Sequence, residues 1–344
     1  MKFPNFKEEN KSLLKKYLTK DVFDILIHRK TTLGYSLTQA INSGLVNSDS
    51  NIGVYAGDQE SYQIFSELFN PIIKDYHGFG KSDQHQSNLN IDDLDIDNPD
   101  PDGKYVLSTR IRVGRNLKNI PLGSMISNEE RNDIADIIQS ALAKLTGDLS
   151  GNYYALNNMP ETVREEMIND HFLFKQGDRF MEAAGLNRDW PEGRGIFHNE
   201  KKNFLVWVNE EDQMRIISMQ KGSDIKAVFY RLISALDQLE KELTFAYSDR
   251  LGYISSCPTN LGTAMRASVH ISLPQLSNNK ERLDRITQEH HLQLRGIHGE
   301  HSDSQNAIFD ISNRRRLGIT EVEAIKDLYR GVIQLIKTER LLEK

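Results

Sequence analysis

The sequence predicts an α+β fold, in which a small all-helical N-terminal domain precedes a larger domain of antiparallel β-sheet flanked by α-helices. Apolar residues recur three or four apart over the first ninety residues, whereas strand-like segments alternate with amphipathic helices from Lys104 onward. The 344 residues, 38% of them hydrophobic and 27% charged, suffice for two unequal domains. We expect a helical domain over residues 1–90, a linker over residues 91–103 and a sheet domain over residues 104–344.

Helical periodicity marks three segments of the N-terminal domain, at residues 12–18, 21–27 and 61–69. The following segment, from residue 90 to residue 103, is rich in Asp and Pro and poor in residues that could fill a core. We therefore interpret it as an ordered crossing between the domains or a linker.

Strands are predicted in the second domain at residues 105–113, 204–209, 214–219 and 267–273. The second and third of these flank a short acidic turn and form a predicted hairpin, which favours a mainly antiparallel sheet. The chain closes with a predicted helix, because Thr320 and Glu323 have the spacing of a capping box. An apolar stripe from Val322 to Ile336 follows on one face of that helix.

The composition of the chain argues against several classes of function. A net charge of −6 argues against a partner such as nucleic acid or an anionic membrane. The single cysteine, Cys257, cannot form an internal disulfide or, by itself, a thiolate zinc site. The sequence has no run of about 18 or more apolar residues, and its start lacks the apolar stretch of a secretory signal, so we expect a cytoplasmic protein.

Arginines are the most informative candidates for binding. The period of two in a strand places Arg110 and Arg112 on one face, with Ser108 beside them, and two parallel guanidinium groups repel unless an anion lies between them. The alternative is an edge strand with solvated arginines. Further arginines in comparable settings are Arg215, Arg266 and Arg295. Because the chain has no Walker A loop and no kinase Gly-rich loop, dispersed arginines could form a phosphate site instead.

Acidic and soft side chains form a second set of candidates. The turn after Asn209 carries Glu211 among its acidic residues, and Glu300 follows a Gly-rich loop; two such carboxylates could clamp a guanidinium, or the turns could simply carry charge. Cys257 is either a core residue or a reactive thiol. His171 and His270 lie in apolar surroundings and are either buried or packed against an aromatic base. The ten histidines have no metal-site spacing.

Four blocks together resemble the phosphagen kinase family, the ATP:guanidino phosphotransferases: Ser108-Thr-Arg-Ile-Arg, Asn209-Glu-Glu-Asp-Gln-Met-Arg, Cys257-Pro-Thr-Asn-Leu-Gly-Thr and Arg295-Gly-Ile-His-Gly-Glu-His. The resemblance extends over nearly the whole chain. It implies a catalytic sheet domain and a reversible transfer of the γ-phosphoryl group between ATP and a guanidino substrate. It also implies that Mg²⁺ is bound through the ATP phosphates.

The family pattern gives the arginines a common role. It implies that the ATP phosphates are held by Arg110, Arg112, Arg215, Arg266 and Arg295. It places Ser108 nearby, and His171 and His270 beside the adenine. Arginine kinases usually have Thr-Arg where this chain has Ile297 and His298, so one loop arginine near the phosphates is missing.

Within the family, the substrate residues resemble those of arginine kinases. Glu211 would contact the guanidinium, Cys257 would lie beside the reactive nitrogen, and Glu300 would be the second carboxylate, where creatine kinases have valine. The short loop over residues 47–55 implies that a free amino acid is bound by Tyr55 and by the backbone near Asn51 and Ile52. The resemblance also implies an interdomain pair of Asp49 with Arg179.

The predicted function is therefore an arginine kinase that acts in energy buffering and takes a proton from the guanidinium with a carboxylate of ordinary pKa. Alternatives are a taurocyamine, creatine, lombricine or glycocyamine kinase, a protein-arginine kinase, and an inactive nucleotide-sensing homologue. The protein-arginine kinases lack the helical domain with its substrate loop, which argues against that alternative. We expect a monomer or a homodimer.

Overall fold

The computed structural model describes residues 2–296 and 307–343. Five helices form the N-terminal part: α1 (Leu13–Tyr17), α2 (Lys20–Leu26), α3 (Leu37–Val46), α4 (Ser61–Ile64) and α5 (Ser66–His77). The segments predicted at residues 12–18 and 21–27 are confirmed as α1 and α2. The predicted helix over residues 61–69 is interrupted, because Phe65 leaves the helical region with φ −105° and ψ 31°. Helix α3 was not predicted.

The second part contains an eight-stranded sheet and its flanking helices. Its elements, in chain order, are β1 (Val106–Arg115), α6 (Asn128–Leu142), β2 (Gly151–Ala155), α7 (Glu161–Asn169), α8 (Arg179–Ala183), β3 (Gly195–Asn199), β4 (Phe204–Val208), β5 (Met214–Lys221), α9 (Ile225–Leu239), β6 (Tyr247–Ser248), β7 (Gly252–Tyr253), β8 (Met265–Ser272), α10 (Lys280–Glu289), β9 (Leu292–Gly296), β10 (Ile308–Asn313) and α11 (Glu321–Leu342).

The large sheet has the strand order β2-β3-β4-β5-β1-β8-β10-β9, and every neighbouring pair is antiparallel. The predicted α+β class with an antiparallel sheet is thus confirmed. Strand β1 lies in the interior of the sheet, between β5 and β8, so the predicted arginine strand is not an edge strand. Four strands of this large sheet, β2, β3, β9 and β10, were not predicted.

The Asp-rich segment before β1 is ordered by one buried carboxylate. Asp100 is 1% exposed, and its Oδ2 accepts the backbone N–H groups of Tyr105 and Val106 at 2.7 and 2.8 Å. Leu94 of the same segment is fully buried in the core of the sheet domain. The segment therefore crosses the protein in a fixed conformation, which agrees with the interpretation of an ordered crossing.

The core of the sheet domain lies between the large sheet and the helices packed on it. Helix α11 begins with the predicted capping box, in which the Thr320 hydroxyl accepts the Glu323 N–H and the Glu323 carboxylate accepts the Thr320 N–H. Its predicted stripe is buried in that core, as are the apolar residues of α9. In the described part of the chain, no helix is both long and apolar enough to cross a membrane.

Candidate functional site

Antiparallel pairing brings the arginines of three strands onto one face of the sheet. Arg112 of β1 pairs directly with Arg266 of β8, and Arg215 of β5 pairs with Gly114 two residues further along β1. Arg110 and Arg112 share a face, as the period of two predicts. Like charges directly opposite each other on a sheet are destabilising, so this arrangement favours a bound anion.

The charge of this cluster is only partly compensated. Within the described residues, the carboxylate partners are Asp310 for Arg266, at 2.7 Å, and Glu210 and Glu211 for Arg215. Burial, followed by the charges of Arg266 and Arg215, lowers the pKa of Arg110 to about 9. Desolvation is the larger cause of this shift. The positive charges of Arg266 and Arg215 add to it, and a bound polyphosphate would offset those charges.

A cavity of about 480 Å³ opens beside the arginines. Five of the predicted ATP residues line it, namely Ser108, Arg110, His171, Arg266 and His270. Its volume lies in the range of small-molecule sites. Burial lowers the pKa of His270, which favours a neutral imidazole suited to contact with a base. A larger cavity of about 680 Å³ between β2 and α7 contains none of the predicted site residues.

Glu211 lies at the tip of the β4–β5 hairpin, and its neighbour Asp212 anchors that tip. The Asp212 carboxylate is 5% exposed and accepts hydrogen bonds from the Asn116 side chain at 2.8 Å, the Ser255 hydroxyl at 2.9 and 3.0 Å and the Ser256 N–H at 3.1 Å. Because Ser255 and Ser256 directly precede Cys257, Asp212 brings the hairpin tip to the cysteine loop.

The acid–base state of Glu211 differs from the expectation of an ordinary carboxylate pKa. Burial, reinforced by the Asp212 carboxylate and opposed by Arg215, raises the pKa of Glu211 to about 7. Glu211 Oε2 accepts hydrogen bonds from Arg215 at 3.1 Å and from the Asn260 side chain at 3.3 Å. Since proton transfer is most efficient near the working pH, this carboxylate has the pKa of a general base.

The cysteine loop is fixed by a half-buried arginine, Arg316. Cys257 is 6% exposed, and its Sγ lies 3.1 Å from the Thr259 hydroxyl. Arg316 donates to the Thr259 carbonyl at 2.9 Å and to the Asn260 Oδ1 at 2.6 Å, which turns the Asn260 amide toward Glu211. Burial and the Glu211 carboxylate raise the pKa of the Cys257 thiol to about 12, so the protein without substrate favours the thiol over the thiolate.

The helical domain contributes Tyr55 to the same region. The backbone N–H of Ala56 donates to the Ser256 carbonyl at 2.8 Å, so the residue after Tyr55 pairs with the residue before Cys257. Tyr55 is 7% exposed. Burial, followed by the charges of Cys257 and Glu211, raises the pKa of its hydroxyl.

The predicted substrate loop, residues 47–55, is held by contacts of Asp49, Asn51 and Ile52. The carbonyls of Asn51 and Ile52 accept the backbone N–H groups of Leu13 and Leu14 at 2.9 and 3.1 Å, so these two carbonyls are already engaged at the start of α1. Arg179 donates to the Asp49 carboxylate, with Nη1 at 2.8 Å from Oδ1. The two members of the predicted interdomain pair are thus in contact.

The remaining predicted residues lie at or beyond the end of β9. Arg295 pairs with Asp310 of β10 and donates to the Gln293 side chain at 3.1 Å. Glu300, Ile297 and His298 lie outside the described residues.

Sequence reasoning missed three residues that build the site, Trp207, Asp310 and Arg316, and it did not predict that Asp212 anchors the hairpin tip. Trp207 lines the 480 Å³ cavity, with the guanidinium groups of Arg110 and Arg215 at 5.5 and 5.4 Å from its ring centre. Asp310 lines the same cavity and pairs with Arg266. No signal in the sequence marks these contacts, since each residue is also typical of an ordinary strand or turn.

Several known guanidino kinases resemble this chain over nearly its whole length. The model of the ATP:guanido phosphotransferase C-terminal catalytic domain matches residues 133–342, and that of the N-terminal domain matches residues 8–74. An arginine kinase of Anthopleura japonica is 53% identical over 96% of this chain, which spans 47% of that relative. An arginine kinase of Artemia franciscana is 50% identical over 96% of this chain and 93% of its own length.

Solved structures show the same fold. A lombricine kinase superposes with a TM-score of 0.92 at 39% identity, covering 99% of this chain and 95% of its own. The substrate-free duplicated taurocyamine kinase of Schistosoma mansoni superposes with a TM-score of 0.91 at 42% identity, covering 98% of this chain and 48% of its own. This chain thus spans about half the length of the duplicated enzyme and of the Anthopleura relative.

Proposed function

This chain belongs to the ATP:guanido phosphotransferase family, and we propose that it is an arginine kinase, which reversibly converts ATP and L-arginine into ADP and N-phospho-L-arginine. The observation that carries the reaction is the contact of Glu211 with Arg215, because it joins a guanidinium-binding carboxylate to the phosphate-binding arginines. Arginine as the substrate is supported by the 50–53% identity to proteins of that name. The cellular role in this proposal is buffering of ATP.

ATP would bind with its phosphates on the arginines and its base in the 480 Å³ cavity. Arg110 and Arg266 line that cavity, and Arg112 lies directly opposite Arg266. A bound polyphosphate would replace Asp310 as the partner of Arg266 and would neutralise the excess charge around Arg110. His171 and His270 would then contact the adenine.

Arginine would bind between the hairpin tip and the cysteine loop. Glu211 would accept hydrogen bonds from its guanidinium, and Tyr55 and the substrate loop would bind its amino-acid end. A guanidinium beside Cys257 would favour the thiolate, so the negative sulfur that the family pattern implies would depend on the charge of the substrate. In this proposal Glu300 is the second carboxylate that contacts the guanidinium.

Transfer follows from alignment and charge neutralisation. A guanidino nitrogen uses its lone pair to form the N–P bond, and the bond between the γ-phosphorus and the bridging oxygen breaks with its electron pair leaving on ADP. The nitrogen loses one proton, which Glu211 accepts. Burial raises the pKa of Glu211 to about 7 in the protein without substrate, and a bound guanidinium would lower it again by its positive charge. The arginines stabilise the charge on the transferring group and the leaving group.

Magnesium would be bound through the phosphate oxygens of ATP. The described residues contain no group of three or more His, Cys, Asp or Glu side chains placed to hold a metal ion. When bound, the ion supplies further neutralisation of the phosphates.

The domain limits at residues 90 and 103, the cytoplasmic location and the state of monomer or homodimer stay predictions.

A substrate comparison tests the proposal. Purified protein is incubated with MgATP and arginine, creatine, taurocyamine, lombricine or glycocyamine, and ADP release and the phosphoguanidine product are measured. We expect kcat/KM for arginine to exceed that for each alternative by at least about tenfold. Turnover dominated by taurocyamine or lombricine, whose kinases share this fold, would overturn the substrate but keep the reaction. No turnover with any guanidine would overturn the proposed function.

A further inference from the structure

Two side chains of helix α3 and the side chain of Asn47, the residue that follows it, donate hydrogen bonds to backbone carbonyls of helix α8, across the boundary between the helical domain and the sheet domain. Asn42 Nδ2 donates to the Ala183 carbonyl at 2.7 Å, and Ser43 Oγ donates to the Phe180 carbonyl at 2.8 Å. Asn47 Nδ2 donates to the Arg179 carbonyl at 3.3 Å. We call these three bonds the α3–α8 contact.

Helix α8 needs such donors because it is only five residues long. The last carbonyls of a helix have no partner within the helix, and a short helix consists largely of such ends. Of the three carbonyls that the α3–α8 contact reaches, that of Phe180 also accepts the Ala184 N–H at 3.0 Å, so Ser43 is its second donor. Ser43 and Asn47 are 0% and 4% exposed. Contact with α3 therefore stabilises α8 in its observed place.

Asn47 contacts Arg179 twice. Its Nδ2 donates to the Arg179 carbonyl, and its Oδ1 accepts from the Arg179 Nη1 at 2.8 Å. The neighbouring ion pair of Arg179 with Asp49 is far more exposed, with side chains 55% and 62% accessible. Exposed ion pairs contribute little to stability and are screened by salt, whereas the interactions of buried side chains are screened much less. The buried hydrogen bonds therefore dominate this contact.

Both ends of the contact lead to the proposed arginine site. On the α3 side, Asn47 begins the loop that carries Tyr55. On the α8 side, the chain continues to Leu186, which packs against Gly123. A Cβ placed on Gly123 would lie 2.7 Å from Leu186 Cδ2 and 2.9 Å from the Glu211 carbonyl oxygen, so all three residues are in close contact. A shift of α8 would thus change the separation of Tyr55 from Glu211.

We propose that Asn42, Ser43 and Asn47 are positioning residues for the guanidino substrate, which set the distance between the Tyr55 loop and Glu211 by holding α8. This inference rests on the proposed function for its kinetic consequence alone. Its structural part, that these three side chains hold α8, concerns the protein without substrate and is testable separately.

Hydrogen–deuterium exchange of the full chain without substrate tests the structural part. We compare wild type with the double variant Ser43→Ala/Asn47→Ala and with Val46→Ala, a control on the same helix at a side chain that is 64% exposed. The double variant should lose protection in peptides from both residues 37–55 and residues 175–188, and the control should not. Loss confined to residues 37–55 would overturn the proposal.

Kinetics test the positioning role. The double variant should raise KM for arginine about tenfold, with KM for ATP changed less than about twofold. Asn47→Asp keeps the acceptor for the Arg179 guanidinium but removes the donor to its carbonyl, so it should impair arginine binding as Asn47→Ala does. Wild-type behaviour of Asn47→Asp, or an unchanged KM for arginine in the double variant, would overturn the role. A wild type without arginine turnover would overturn the proposed function, and the exchange experiment would still decide the contact.

Discussion

At the scale of single residues, the environment of Glu211 decides its chemistry more than its residue type does. The neighbouring Asp212 anchors the hairpin tip by accepting hydrogen bonds from three donors, and its charge adds to the effect of burial in raising the pKa of Glu211. Arg215 opposes that effect from 3.1 Å. One acidic turn thus supplies both an anchor and a candidate base, because the two carboxylates have different partners.

This environment gives a pH prediction. A carboxylate with a pKa of about 7 in the free protein is protonated below that pH and then neither accepts the proton nor pairs with the guanidinium. We expect kcat/KM for arginine to fall about tenfold per pH unit below pH 7. Glu211→Gln should lower kcat about 10²–10⁴-fold, abolish this acidic limb and leave KM for ATP nearly unchanged.

The matched control is Glu210→Gln, which removes the other carboxylate that contacts Arg215. That variant should keep the acidic limb, since Glu211 remains. A limb that persists in Glu211→Gln, or a comparable loss of ATP binding in that variant, would show that another group carries the proton.

At the scale of elements, the strands and helices that were predicted have strong apolar patterns, and some that were missed depend on distant partners. Helices α6 and α9 were also not placed, although their apolar residues recur at helical spacing. Strands β1, β4, β5 and β8 and helix α11 follow from periodicity. Edge strand β2, with the sequence Gly-Asn-Tyr-Tyr-Ala, is ordered by pairing with β3 and carries little pattern of its own. The anchoring role of Asp212 could not be predicted from the sequence either, because its partners Asn116 and Ser255 lie about 96 and 43 residues away.

Helix α3 also could not be predicted from local pattern alone, and its packing leads to a prediction about stability. Its Thr, Asn, Ser and Gly residues are poor helix formers, but Gly44 lets it approach the substrate loop. A Cβ on Gly44 would lie 2.6 Å from the backbone of Gly53 and 2.8 Å from the Leu14 side chain. We expect Gly44→Ala to lower the free energy of unfolding by about 2–3 kcal/mol, measured by thermal or denaturant unfolding.

Val46→Ala, at an exposed position of the same helix, should change the unfolding free energy by less than about 0.5 kcal/mol. If Gly44→Ala were as stable as wild type, the close approach of α3 to the loop would not constrain the fold.

At the scale of the whole molecule, the helical domain and the sheet domain share one apolar cluster. That cluster contains residues of α1 to α5 together with Leu122, Leu186 and Leu261 from the second domain. Hydrogen bonds cross the same boundary, including those from the Tyr62 hydroxyl to the Ser255 carbonyl at 2.7 Å and from the Ser124 hydroxyl to the Ala56 carbonyl at 2.7 Å. Burial of this shared surface keeps Tyr55 beside Cys257 before any substrate binds.

Two histidines at this boundary should make the folded protein less stable at acidic pH. His77 Nε2 lies 2.9 Å from the Pro258 carbonyl oxygen, and His85 Nδ1 accepts the Gly318 N–H at 3.3 Å. Burial lowers the pKa of each from 6.5 to about 4. Because the folded pKa lies below the unfolded one, the stabilisation is present above pH 6.5 and is lost as the pH falls toward 4.

For a histidine whose pKa falls from 6.5 to about 4, the loss between pH 7 and pH 5 is on the order of 2 kcal/mol. Denaturant unfolding at the two pH values should therefore show a larger decrease for wild type than for His77→Gln/His85→Gln, in which neither position can gain a proton. His28→Gln, at an exposed position, should retain the wild-type decrease. An equal decrease in wild type and in the double variant would place the acid sensitivity in the carboxylates, whose protonation also removes charge from the site.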